Sequence, residues 1–72
     1  METPDYNQRI ADERERIRLV EGEIVAQNEC IAALERAGRD ARSARAVRAS
    51  LWIKQESYLA EIERLIEEQR KL

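Results

Sequence analysis

Arginines recur at every third residue near the middle of this 72-residue chain. The run consists of Arg36, Arg39, Arg42, Arg45 and Arg48. A guanidinium binds a carboxylate or a phosphate through two parallel N–H bonds, so such a run favours contact with an acidic protein surface or a nucleic acid backbone. The stretch from the first to the last of these arginines contains a single acid and carries +4, in a chain whose formal net charge is −2. The candidate contacts for an anion or an acidic partner are Arg39, Arg42, Arg45 and Arg48.

The other polar residues do not form a catalytic or metal-binding set. The chain has no His, which excludes the Glu-x-x-His metal sites of helical bundles and the Ser-His and Cys-His nucleophile pairs. Its two glycines belong to no phosphate-binding loop. Glu13 lies near a helix end with no His to act beside it, and we interpret it as structural. We therefore expect no enzyme activity, no cofactor and no metal site.

Cys30 is the only cysteine, so the chain cannot form an internal disulfide. A lone thiol is typical of a reducing compartment, and we interpret it as a small packed residue. No apolar run approaches the roughly 20 residues of a membrane span, and the first residues lack the apolar segment of a signal peptide. The expected location is the cytoplasm, without membrane insertion.

Charged residues make up 39% of the chain and aromatic residues 4%, a composition typical of long solvated helices. The expected first helix spans residues 4–37, with Thr3 as its cap and Pro4 in its first turn. Isoleucines recur at seven-residue intervals along it, which indicates a coiled-coil seam. They are Ile10, Ile17, Ile24 and Ile31. The complementary column is Tyr6, Glu13, Val20, Gln27 and Leu34.

A short turn is predicted at residues 38–40. Gly38 suits the left-handed position that ends many helices, and Asp40 suits the cap of a second helix spanning residues 41–71. A connection this short forces the helices to run antiparallel. The prediction is one all-α domain over residues 1–72, an antiparallel and coiled-coil-like helical hairpin.

The apolar columns of the second helix cover about 100° of its surface, more than a two-helix seam needs. The first helix widens its seam with small residues in its second half. We therefore expect two hairpins to pair as a homodimer, a four-helix bundle. The predicted oligomer interface consists of Leu19, Cys30, Trp52, Leu59, Ile62 and Ile66.

This architecture leads to two hypotheses about what the arginines contact. If hairpins pair antiparallel, the basic turn of one lies beside the acidic ends of the other, and Arg45 and Arg48 meet acids across the interface. Alternatively, the turn binds nucleic acid as the tip of a hairpin dimer. A third hypothesis is that a partner helix docks on the apolar stripe, and a fourth is that the arginines are merely solvated. The favoured function is a non-enzymatic structural or protein-interaction module that self-associates.

The middle of the chain carries the pattern E-x-x-I-x-x-Q-x-x-x-I-x-x-L-x-x-x-G-x-D-x-x-x-A, from Glu21 to Ala44. This stretch resembles a set of short, uncharacterised bacterial proteins that are predicted two-helix hairpins. Those proteins often have His after the Gly, where this chain has Arg39, and His in the second helix, where it has Tyr58. The resemblance implies a hairpin with a fixed turn and a structural role for Gln27, and it implies no activity.

Overall fold

The computed structural model describes residues 5–72 and contains two long α-helices joined by a tight turn. Helix α1 spans Tyr6–Arg36 and helix α2 spans Arg42–Arg70. The helices run antiparallel and pack together into a hairpin whose Cα trace extends 58 Å by 17 Å by 14 Å. The described residues contain no strand, so the predicted all-α hairpin is confirmed.

Helix α1 begins two residues later than the predicted position 4. Asp5 has a non-helical backbone and its carboxylate accepts the backbone N–H of Gln8 at 3.0 Å. This bond satisfies one of the N–H groups that have no partner in the first turn, so Asp5 is the cap. The expected cap Thr3 and first-turn Pro4 lie outside the described residues.

The turn that ends α1 depends on one glycine. Gly38 has φ of 68°, and no other described residue has a positive φ. Its N–H donates to the carbonyl of Glu35 at 3.0 Å, and the N–H of Arg39 donates to that of Leu34 at 2.8 Å. These two bonds form a Schellman motif, which confirms the predicted left-handed role of Gly38.

Asp40 holds the start of α2. Arg42 is the first residue of the helix, and its backbone N–H donates to one of the Asp40 carboxylate oxygens at 2.9 Å. Ala41 lies between them and is buried against α1. Ala41, and not Asp40 as predicted, therefore occupies the cap position, because the helix begins one residue later than predicted; the Asp40 carboxylate still accepts one free N–H of the first turn.

We expect Gly38→Ala to destabilise the hairpin by about 1–2 kcal/mol, because an L side chain in the left-handed region meets the following carbonyl. Gly22→Ala is the matched control, since a Cβ at this position inside α1 meets nothing within 4 Å. That control should stabilise the chain by about 0.5–1 kcal/mol through helix propensity. Urea unfolding followed by circular dichroism measures both. Equal stability of the two variants would contradict the role assigned to the turn.

The core is a single seam between the helices. Near the chain ends, Ile10 packs with Ile62 and Leu65, and near the turn, Ile31 packs with Ala41 and Ala44. Val20 and Leu51 are buried between these clusters. The predicted isoleucine column therefore forms the α1 side of the core, and the polar residues of the second column, Glu13 and Gln27, are half-buried.

Candidate functional site

The hairpin has two long faces, one on each side of the seam, and cross-helix contacts show which residues share each face. On one side Arg45 pairs with Glu35 at 3.2 Å and the Gln55 amide donates to Glu21 at 3.3 Å. Residues seven apart occupy the same side of such a helix. This side, the Trp52 face, combines Arg45, Trp52, Leu59 and Ile66 of α2 with Asn7, Arg14, Glu21, Asn28 and Glu35 of α1.

The opposite side is fixed by an ion pair between Arg9 of α1 and Glu61 of α2, at 3.8 Å. The same seven-residue spacing assigns the other members. This side, the Cys30 face, combines Arg9, Arg16, Glu23, Cys30 and Ala37 of α1 with Val47, Lys54, Glu61 and Glu68 of α2.

The six residues predicted to form one oligomer interface are separated by this geometry. Trp52, Leu59 and Ile66 lie together on the Trp52 face. Cys30 lies on the opposite face, where it is exposed and not packed as predicted, and Leu19 lies on the outward side of α1 next to it. The remaining one, Ile62, is 9% exposed and packs inside the hairpin.

The predicted residues are separated because the apolar stripe on each helix is wider than the seam between the two helices. Columns on adjacent sides of one helix form a single stripe in the isolated helix, but α1 covers the middle of that stripe when the hairpin forms. Ile62 is in the covered part. The predicted residues that stay exposed on α2 then lie on the Trp52 face, and those on α1 lie on or next to the Cys30 face.

A contact between Arg48, Asn28 and Trp52 joins the turn region to the Trp52 face. Arg48 occupies a seam position, where its guanidinium donates to the Asn28 side chain at 2.8 Å. The same guanidinium lies over the Trp52 ring, 4.8 Å from its centroid. The indole is still 46% exposed. Arg48 therefore holds a positive charge on the Trp52 face.

The other predicted contact arginines differ in whether they have a partner within the chain. Arg45 pairs with Glu35, and Arg42 pairs with Asp40 at 2.8 Å. Arg39 forms no ion pair with the described residues. The four predicted contact residues therefore lie near one end of the hairpin, but three of them already have partners within the chain.

The Asp40 carboxylate occupies the place where an external anion would bind at the start of α2. Hydrogen bonds from the Arg42 side chain and backbone lower the pKa of this carboxyl below its usual value. Asp40 is therefore ionised at neutral pH, and its negative charge faces the positive end of the helix dipole. This arrangement opposes binding of a phosphate there.

The end of the Cys30 face that lies away from the turn carries a network of ion pairs. Arg64 binds the carboxylates of Glu61 and Glu68, and Arg9 reaches Glu61 from α1. The hydrogen bond from Arg64 lowers the pKa of Glu61, so the network is charged at neutral pH. A shallow pocket beside it is lined mainly by paired charges, and we assign it no ligand.

Within residues 5–72 no group of three His, Cys, Asp or Glu side chains is arranged to hold a metal ion. Neither helix combines the length and the apolar character that a bilayer crossing requires. Comparison of the chain with protein families, curated proteins and solved structures gave no match. The arrangement of side chains on the two faces is thus the basis for inferring what the protein does.

Proposed function

We propose that this chain is a non-enzymatic structural or protein-interaction module that self-associates through the Trp52 face. One observation carries the proposal: large apolar side chains remain half-exposed at seven-residue intervals on one side of the folded hairpin. Trp52 and Leu59 are each 46% exposed, and Ile66 continues the row. A row with this spacing matches the packing surface of another helix.

The size and composition of the Trp52 face suit such a contact. Exposed apolar rows rimmed by polar residues commonly mark protein interfaces, and Trp is among the residues most enriched at their energetic centres. A stable complex buries about 800 Å² on each partner. That area is about one seventh of the 5592 Å² surface of the chain, and a hairpin 58 Å long and 17 Å across can supply it from one face.

A second copy is the favoured partner because the hairpin is electrically polar along its length. Residues 29–48 at the turn contain five arginines and three acids, for a side-chain charge of +2. Residues 5–16 and 60–72 at the other end contain eight acids and six basic residues, for −2. Two antiparallel copies place opposite charges side by side, whereas parallel copies place the basic turns together.

A module of this kind with an exposed thiol suits the reducing cytoplasm.

Nucleic acid binding by the turn is the alternative function. The cluster of arginines favours it, and Arg39 is available. It is disfavoured by the internal partners of Arg42 and Arg45, by the capping Asp40 and by the sequence pI of 5.2. No aromatic residue occurs between residues 36 and 48 to stack on a base, and the nearby Trp52 ring already carries the Arg48 guanidinium.

Trp52 is the only tryptophan, so its fluorescence reports on the proposed surface alone. We expect its emission to shift to shorter wavelength as protein concentration rises, because association removes water from the half-exposed indole. Ile53→Glu is the control: this side chain is on the outward side of α2, and the shift should remain.

An emission spectrum that does not change from micromolar to millimolar concentration would contradict self-association. Titration of a fluorescent duplex DNA tests the alternative in the same samples. Binding that weakens with salt, with a log–log slope of about −0.9 per phosphate contacted, would favour the nucleic acid function instead.

A further inference from the structure

We infer that two hairpins pair about a twofold axis that passes through the Trp52 face between Gln55 and Glu56, with their α2 helices antiparallel. In this arrangement Trp52 packs on Leu59 of the second copy. The inference rests on the proposed function and adds the register and the charge pair that fix the dimer.

The apolar row limits the registers available to such a pair. A twofold axis places the row of one copy against the row of the other, and two positions of the axis pair Trp52 with a different large apolar side chain of the row. With the axis at Leu59, Trp52 meets Ile66 of the second copy. With the axis midway between Trp52 and Leu59, each of these two meets the other.

Charges beside the row distinguish the two registers. Residues equally far from the axis face each other, so an axis at Leu59 sets Arg48 opposite Arg70 of the second copy. The axis midway between Trp52 and Leu59 sets Arg48 opposite Glu63. Because the guanidinium of Arg48 is held over the Trp52 ring, a positive charge lies on this face before a partner binds. Opposite charges favour the second register and like charges disfavour the first.

The acid required by this register is available. Glu63 forms no ion pair with the described residues, whereas its neighbour Arg64 is engaged by Glu61 and Glu68. Glu63 also lies four residues from Leu59 and three from Ile66, beside the apolar row. A carboxylate there can reach a guanidinium of a second copy without breaking an internal contact.

The Cys30 face is a poorer site for the same partner. Its exposed apolar residues near the turn are small or isolated, and its other end is covered by the Arg9–Glu61–Arg64 ion pairs. The register therefore places Cys30 on the outside of the dimer, away from Cys30 of the second copy.

Engineered cysteines test this geometry in the full chain carrying Cys30→Ser. Residue 56 lies next to the inferred axis, so the two copies of Glu56→Cys are separated by about 1.5 Å along the helix axes and can form a disulfide. The matched control is Ile53→Cys, one turn away on the outward side of α2 and 68% exposed. Under mild oxidation at a concentration where the protein is dimeric, we expect Glu56→Cys to cross-link at least tenfold faster than Ile53→Cys.

A charge variant provides a second readout. Glu63→Arg should raise the dimer dissociation constant at least tenfold, because it places Arg48 opposite another arginine. Glu67→Arg makes the same change in charge on the outward side of α2 and should leave the constant within about twofold of the original, as is usual for surface changes away from a contact.

The outcomes separate the inference from the proposed function. A dimer in which Ile53→Cys cross-links as fast as Glu56→Cys, or in which the unmodified chain cross-links through Cys30 at that rate, would overturn the inferred face and leave self-association intact. A dimer in which the two charge variants have equal effects would overturn the register. A chain that sediments as a monomer at every concentration would overturn both the inference and the proposed function.

Discussion

Leu65→Ala should unfold most of the protein at room temperature. Leu65 is 1% exposed and packs with Ile10 and Ile62 in the cluster near the chain ends, so its truncation leaves a cavity in the middle of packed side chains. Such substitutions lower the free energy of unfolding by about 2–5 kcal/mol. A core of this size supplies no more than about 3–5 kcal/mol, which leaves little or no stability.

The matched control for this prediction is Ile53→Ala, which removes apolar atoms from a side chain that is 68% exposed. Its unfolding midpoint should lie close to that of the parent chain, as surface substitutions usually change stability by less than about 0.5 kcal/mol. Both variants can be compared by far-ultraviolet circular dichroism during urea unfolding at one fixed protein concentration. A Leu65→Ala protein as helical and as stable as the control would contradict the core assignment.

Trp52→Ala should raise the dissociation constant of the dimer by about thirtyfold, or about 2 kcal/mol. The indole supplies the largest apolar surface on the Trp52 face, and in the dimer it packs on Leu59 of the second copy. Its removal also releases the Arg48 guanidinium that lies over its ring. Folding should be much less affected than by Leu65→Ala, because Trp52 is outside the hairpin core.

Sedimentation equilibrium at several concentrations gives the dissociation constant of each variant, and Ile53→Ala again serves as the control. That control should associate as the parent chain does, since Ile53 and Trp52 are neighbours on different sides of α2. Equal dissociation constants for Trp52→Ala and Ile53→Ala would show that the Trp52 face is not the contact.

Much of the hairpin could be predicted from the sequence because its signals are local or strictly periodic. The seven-residue spacing of the isoleucines identifies the buried side of α1 without knowledge of its partner. Gly38 and Asp40 mark the turn through backbone requirements that few other residues meet. The predicted bounds were wrong by one or two residues, because helix ends depend on which available side chain caps them: Asp5 caps α1 and the carboxylate of Asp40 reaches past Ala41.

The candidate site was harder to predict because it depends on how the helices face each other. Ile62 and Leu59 belong to adjacent columns of the same helix, and only the position of α1 decides that one is buried and the other exposed. The placement of Arg48 in the seam likewise depends on Asn28, twenty residues earlier in the chain. A signal for Asn28 is present in retrospect, since it lies in a column of mainly polar residues at seven-residue spacing beside the apolar seam.

The most direct test of the central claim is sedimentation equilibrium of the unmodified protein over a wide range of concentration, at low and at high salt. The account predicts a molar mass that rises from 8.4 kDa for one chain toward twice that value, with association weakened by salt because opposite charges meet between the copies. A folded protein that remains at 8.4 kDa under every condition would contradict it.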